Sequence, residues 1–250
     1  MEKTERQKAN FGLVGKDISY SFSRGYFKKK FEDMGLNNHS YQNFDLQSIS
    51  ELPSILKNTS DVKGLNVTIP YKEEVIPFLN EIDIAAKKIG AVNTIKVSEN
   101  GLIGFNTDAY GFKKSLEPHL KKHHKKALIL GTGGASKAIA FVLQELEIDF
   151  IFVSRSGKNN GYNYQELTDD IIINHTLIIN SSPVGTFPNI KDKPAIPYTK
   201  INKEHLLFDL IYNPEVTAFL AAGKANGATI CNGHKMLEFQ AEKSWKIWNQ

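Results

Sequence analysis

Cysteine is nearly absent. Cys231 is the only one in 250 residues, so no disulfide can form within the chain and a reducing compartment is expected. It sits in the apolar run A-T-I-C, where a buried structural role outweighs a nucleophilic one. Long apolar runs are missing too: none approaches the roughly 18 residues that a membrane span requires. The first ten residues are charged and polar and lack the apolar core of a signal peptide. Charge of one sign hardly dominates, with 31 Lys and Arg against 27 Asp and Glu and a formal net charge of +4. Lysines gather only at residues 28–30 and 121–126, and read as solvated helix ends. No basic face interleaved with aromatics marks a nucleic-acid partner. A soluble, cytoplasmic protein is expected.

With 41% hydrophobic residues, the chain can form one large domain or two small ones. Between residues 11 and 108 strand and helix patterns alternate. F-G-L-V-G at 11–15 reads as a strand, and 22–36 carries aromatics at helical spacing. Residues 41–46 and 62–69 read as further strands around a helix at 49–56. Two helical stretches follow Lys72, then a hairpin over 93–105 turning at Asn100-Gly101. Strands separated by helices predict a mostly parallel sheet covered on both faces. A second run of the same kind starts near Ala127, with strands at 127–130, 150–153, 177–180, 206–210 and 228–231 and a helix at 137–146. A linking helix is expected over 108–120. A terminal helix over 234–248, with Leu237, Gln240 and Trp248 near one face, is expected to pack back onto the first unit. The predicted class is α/β: an N-terminal domain over 1–107, joined by the helix at 233–250, a Rossmann-type domain over 108–232, and a cleft between them.

Gly131, Gly133 and Ser136 occupy the G-x-G-x-x-G positions, with Gly134 and Ala135 between them. The first glycine permits a tight turn and the second lets a pyrophosphate approach the backbone at a helix N-terminus. The pattern is weak alone; here it follows a predicted strand and opens a predicted helix. An ordinary strand-to-helix turn is the alternative. Roughly 20 residues further on, an NAD site carries an acid for the ribose hydroxyls. This chain has Ser154, Arg155 and Ser156, with Lys158 close behind, which suits a 2′-phosphate and therefore NADP.

The first unit carries three polar clusters. S-Y-S-F-S at 19–23 follows the first strand, where hydroxyls and helix amides could hold a carboxylate. N-V-T-I-P-Y-K at 66–72 puts Asn66, Thr68 and Lys72 at the carboxyl end of a strand, where open sheets bind ligands. Lysine is poor strand material, and its ammonium can protonate a carbonyl oxygen that is becoming an alkoxide. G-A-V-N-T and F-N-T-D-A add Asn93 and Asp108. Each cluster alone could be structural, since serines cap helices and asparagines make turns.

Taken with S-P-V-G at 182–185, D-L-I-Y-N-P at 209–214 and M-L-E-F-Q-A at 236–241, these motifs make the chain resemble the shikimate dehydrogenase family over nearly its whole length. The resemblance implies a substrate domain followed by a Rossmann domain, and NADPH-dependent reduction of 3-dehydroshikimate to shikimate in aromatic biosynthesis. It further implies that Ser21 and Ser23 bind the substrate carboxylate with Tyr212 nearby. Asn66, Thr68, Asn93 and Gln240 would meet ring hydroxyls or shape the pocket. Lys72 and Asp108 would form the catalytic pair, and Gly233 would lie at the cofactor. No metal is implied, and a monomer or homodimer is expected.

Four departures from the family pattern stand out. Arg24 replaces a proline, Ser154 replaces asparagine, and His234 with Lys235 replace small or apolar residues. The segment after Arg155 is also short, leaving little room for the helix normally found there. Rival readings are a quinate/shikimate dehydrogenase with relaxed substrate or NAD use, and a dinucleotide-binding paralogue without turnover.

Overall fold

A computed structural model describes residues 8–18, 21–157 and 161–250; Ser19, Tyr20 and Lys158 lie outside the described residues. The chain divides into two compact units, one ending at Thr107 but including 241–250, the other spanning 108–240.

The first unit is built on a six-stranded mixed sheet. Its strands are β1 (Ala9–Gly15), β2 (His39–Asp45), β3 (Val62–Val67), β4 (Glu81–Ile82), β5 (Thr94–Ser98) and β6 (Gly101–Phe105), in the order β2-β1-β3-β5-β6-β4. β1 runs parallel to β2 and β3, whereas β5 is antiparallel to both β3 and β6. The hairpin expected at Asn100-Gly101 is β5–β6, with Gly101 at φ +110. Alternation along β1 divides its side chains between two cores. Ala9, Phe11 and Leu13 pack with Phe27, Phe31 and Trp248, while Val14 joins Leu52, Leu65, Val67 and Ile95 on the other face.

Helix α1 (Phe22–Asp33) starts at Ser21, whose hydroxyl accepts the Arg24 N–H, and buries Ser23, Phe27 and Phe31. The helix expected at 49–56 is a 3₁₀ turn followed by α2 (Leu52–Asn58). Only one of the two helical stretches expected after Lys72 is a full helix, α3 (Ile84–Ile89). Residues 76–78 form a single 3₁₀ turn around Pro77, and the unforeseen β4 follows. Trp248 seats against the backbone of β3, where any side chain at Gly64 would strike its indole. Its Nε1–H donates to the Ile95 carbonyl at 2.9 Å.

The second unit carries an all-parallel sheet: β7 (Lys126–Leu130), β8 (Asp149–Ser154), β9 (Tyr162–Asn163), β10 (Leu177–Asn180), β11 (Leu206–Asp209) and β12 (Thr229–Cys231). The order is β12-β11-β10-β7-β8-β9. Numbered from β7, it is the 3-2-1-4-5-6 order of a dinucleotide-binding fold, whose sense reverses between β7 and β10. β7, β10 and β11 are apolar runs buried almost throughout, as strands covered on both faces must be.

The helices here are α4 (Thr107–Leu116), α5 (Gly134–Glu145), α6 (Asp169–Asn174), α7 (Ala218–Ala225) and α8 (His234–Trp248). α4 and α8 each carry residues of both units. Among the described residues, the segment after Arg155 holds β9, a 3₁₀ turn and the six-residue α6. The buried row of α8 is Met236, Gln240, Ala241, Ser244, Ile247 and Trp248, with Leu237 half-buried.

Candidate functional site

β7 leads straight into the glycine turn. Gly131 holds φ +119, a region side chains rarely enter, and a Cβ there would lie 2.9 Å from the Ser181 hydroxyl. Ser181 follows β10, so the two loops approach each other where the sheet order reverses. Gly133 caps α5 with no side-chain hydrogen bond, and a Cβ on it would meet nothing within 4 Å. Gly134 and Ala135 then open a twelve-residue helix whose first amides and dipole favour an anion. Ser136 is buried, and its hydroxyl donates to the Gly133 carbonyl at 2.6 Å. The third motif position therefore closes the turn from inside. Ser154 ends β8, with Arg155 and Ser156 exposed just beyond. The Arg155 charge acts on the Tyr164 phenol, opposing the burial that raises that group.

In the first unit, Ser21 and Ser23 open α1. Because the Ser21 oxygen accepts from Arg24 at 3.4 Å, its own hydrogen remains to donate. A proline at position 24 would have no N–H to give, whereas Arg24 completes the cap. Ser23 is buried and hydrogen-bonded to the hydroxyl of Tyr41, whose phenol burial raises. Asn66 is 3% exposed, and its amide meets protein on both sides. Its Oδ1 accepts from Tyr41 at 2.9 Å, while Nδ2 faces the Asn93 carbonyl, Thr94 and Ser244. Thr68 and Lys72 are half-buried in the turn after β3. The Lys72 carbonyl accepts the Val92 N–H at 2.7 Å, tying this turn to the residue before Asn93. Asn93 accepts the first amide of α4, Thr107 N–H, on its Oδ1 at 2.6 Å. Asp108 is the next residue, buried in the first turn of α4, where the helix dipole favours negative charge.

Asp108 belongs to the second unit, as do the remaining expected site residues. Gln240 is buried and its Nε2–H donates to the Leu237 carbonyl at 3.1 Å. The Tyr212 ring centroid lies 6.4 Å from that of His234. Gly233 packs against β11's exit, where any side chain would strike the Leu210 carbonyl. His234 and Lys235 are exposed and both reach Glu238, at 3.2 and 2.6 Å.

Two buried networks were not anticipated. Thr94, Thr107 and Ser244 join Asn66 and Asn93 in the first unit. The Asn-Thr pairs at 93–94 and 106–107 were their only sequence signal. In the second unit Asp209 accepts from Asn180, Ile211 N–H and Thr217. Burial outweighs these bonds and raises its carboxyl to about 6. Burial also pushes the Cys231 thiol up to about 11, so it stays protonated and is a poor nucleophile. Among the described residues no cluster of His, Cys, Asp and Glu could hold a metal ion, and no helix is long and apolar enough to cross a membrane.

A family model described as the shikimate dehydrogenase substrate binding domain matches residues 13–95. A Clostridium botulinum protein named shikimate dehydrogenase (NADP(+)) is 39% identical over 254 residues, covering 95% of this chain and 95% of the relative. The chain belongs to the shikimate dehydrogenase family. Family members of known structure share both sheets. The crystal structure of shikimate dehydrogenase from Aquifex aeolicus matches with a TM-score of 0.86 and 31% identity, over 97% of this chain and 92% of that one. The enzyme from Thermus thermophilus, in complex with NADP(H) and shikimate, matches at 0.84 and 30% identity, over 96% and 93%. The matched segment 13–95 contains Ser21, Ser23, Asn66, Thr68, Lys72 and Asn93, and stops before Asp108.

Proposed function

We infer that this shikimate dehydrogenase reduces 3-dehydroshikimate to shikimate with NADPH, reversibly, in aromatic biosynthesis. The observation that carries the reading is 39% identity to an NADP(+)-dependent shikimate dehydrogenase across 95% of both chains. The first unit serves as the substrate unit and the second as the nucleotide unit.

The second unit fits the dinucleotide. Open space beside Gly133 and the uncapped start of α5 suit a pyrophosphate held by Gly131, Gly133, Gly134 and Ala135. Arg155, with Ser154 and Ser156, would hold the 2′-phosphate. Ser136 supports the turn, and Gly233 keeps the backbone close at β11's exit. When bound, the cofactor supplies or accepts the hydride. The chain's own residues position the acid and manage the proton.

Ser21 donates its hydroxyl hydrogen to the substrate carboxylate, with Ser23 and Tyr212 alongside. Thr68, Asn93 and Gln240 meet the ring hydroxyls, while Asn66, saturated by protein partners, shapes the pocket wall. Charged Lys72 gives a proton to the oxygen that becomes a hydroxyl, and neutral Lys72 takes it back in the oxidative direction. Asp108 is its proposed partner. The test is a steady-state assay of reduced nicotinamide absorbance, crossing shikimate and quinate with NADP and NAD. Turnover should be strongest with shikimate and NADP. Binding of both ligands without any absorbance change would overturn the assignment.

A further inference from the structure

Asn66, Asn93, Thr94, Thr107 and Ser244 are each 3% exposed or less, yet all are polar. They come from β3, the segment before β5, β5 itself, α4 and α8; Asn66, Thr94 and Thr107 converge on the Ser244 hydroxyl. Ser244 Oγ lies 2.8 Å from Thr94 Oγ1, 3.0 Å from Asn66 Nδ2 and 3.2 Å from Thr107 Oγ1. The Thr94 and Thr107 hydroxyls are 3.0 Å apart, and each is 3.2 Å from Asn93 Oδ1. A buried network of this kind is favourable only when fully satisfied, and an apolar set of equal volume would pack at lower risk. Its retention therefore calls for a reason beyond packing.

That reason is the direction of one amide. The Thr107 backbone N–H can only donate, and it sits 2.6 Å from Asn93 Oδ1. The two threonine hydroxyls crowd the same oxygen. Asn93 Oδ1 is thereby turned into the network, and Nδ2 to the other side. We propose that Ser244, with Thr94 and Thr107, forms a positioning triad that fixes Asn93 as a hydrogen-bond donor to a ring oxygen of the substrate. The proposal rests on the substrate role given to Asn93 above.

Ser244→Ala and Thr94→Val remove single hydroxyls while keeping most of the packing. Each should raise the KM for shikimate about tenfold, the equivalent of one hydrogen bond. Turnover and the KM for NADP should stay within about twofold, and Thr94→Ser, which keeps the hydroxyl, should restore the substrate KM. Asn93→Asp keeps an oxygen for Thr107 but loses the donor. It should raise the substrate KM at least as far while holding the unfolding temperature. If Ser244→Ala does not fold, Thr94→Val and Thr94→Ser carry the comparison. Lower unfolding temperatures with unchanged substrate KM in the hydroxyl variants would overturn the triad's positioning role. Unchanged substrate KM in Asn93→Asp and Asn93→Ala would instead overturn the role of Asn93 itself.

Discussion

β3 in the first unit and β7 in the second are both largely buried strands whose carboxyl ends run into a turn proposed to meet a ligand, yet they are made of different material. The buried part of β7 is A-L-I-L, without a polar atom in its side chains, and the turn after it carries Gly131 and Gly133. β3 is G-L-N-V, and its asparagine is bonded to Tyr41, Asn93, Thr94 and Ser244. The difference fits what each turn is proposed to hold. A pyrophosphate is gripped by amides that every residue carries, so glycine and a helix end suffice. A small polyhydroxy acid must be read by side chains, and each buried reader needs partners of its own.

The sharpest way to break that contrast is at Lys72. Lys72→Ala should lower kcat by about two to four powers of ten with substrate KM within about a few fold, as measured by steady-state kinetics. A near-normal kcat would remove the first unit's claim to the chemistry. Next comes packing. Trp248 stacks on Phe11 with ring centroids 4.9 Å apart and bonds the Ile95 carbonyl. Trp248→Ala should therefore destabilise the first unit by about 3–5 kcal/mol in denaturant unfolding. Cofactor binding by the second unit should survive.

Asp209 tests the second unit. Its folded carboxyl titrates at about 6, above its ordinary range, so the folded state holds this proton more tightly than the unfolded chain does. Asp209 is therefore least costly at acid pH, and its contribution to stability falls as pH rises through about 4 to 6, by roughly 3 kcal/mol in all. Wild-type unfolding free energy minus that of Asp209→Asn should decline across this window. A flat difference would show that the three donors around Asp209 offset its burial. The smallest effect is expected at exposed Arg155. Arg155→Ala should weaken NADPH about tenfold, with NADH unchanged, as read from kcat/KM for the two cofactors.

Much of the architecture was legible because its signals are local. The apolar runs of β7, β10 and β11, the period of α5 and the Asn-Gly turn of β5–β6 each lie within a dozen residues. The turn at 131–136 was equally readable. Short elements were not: β4, β9 and α6 have two, two and six residues, too few for a periodicity to show. Nor was the division of labour at residues 66 and 136 visible. Asn66 and Ser136 look like ligand-facing groups until their partners are seen.

The sequence by itself determined the two α/β units, the glycine turn after β7 and the family to which the chain belongs. Only the tertiary structure decided which way the polar groups face. Thr107 and Ser244 are 137 residues apart, and Asn66 and Ser244 are 178 apart. A hydrogen bond depends on angles and distances set when those segments fold together, and no local pattern encodes it.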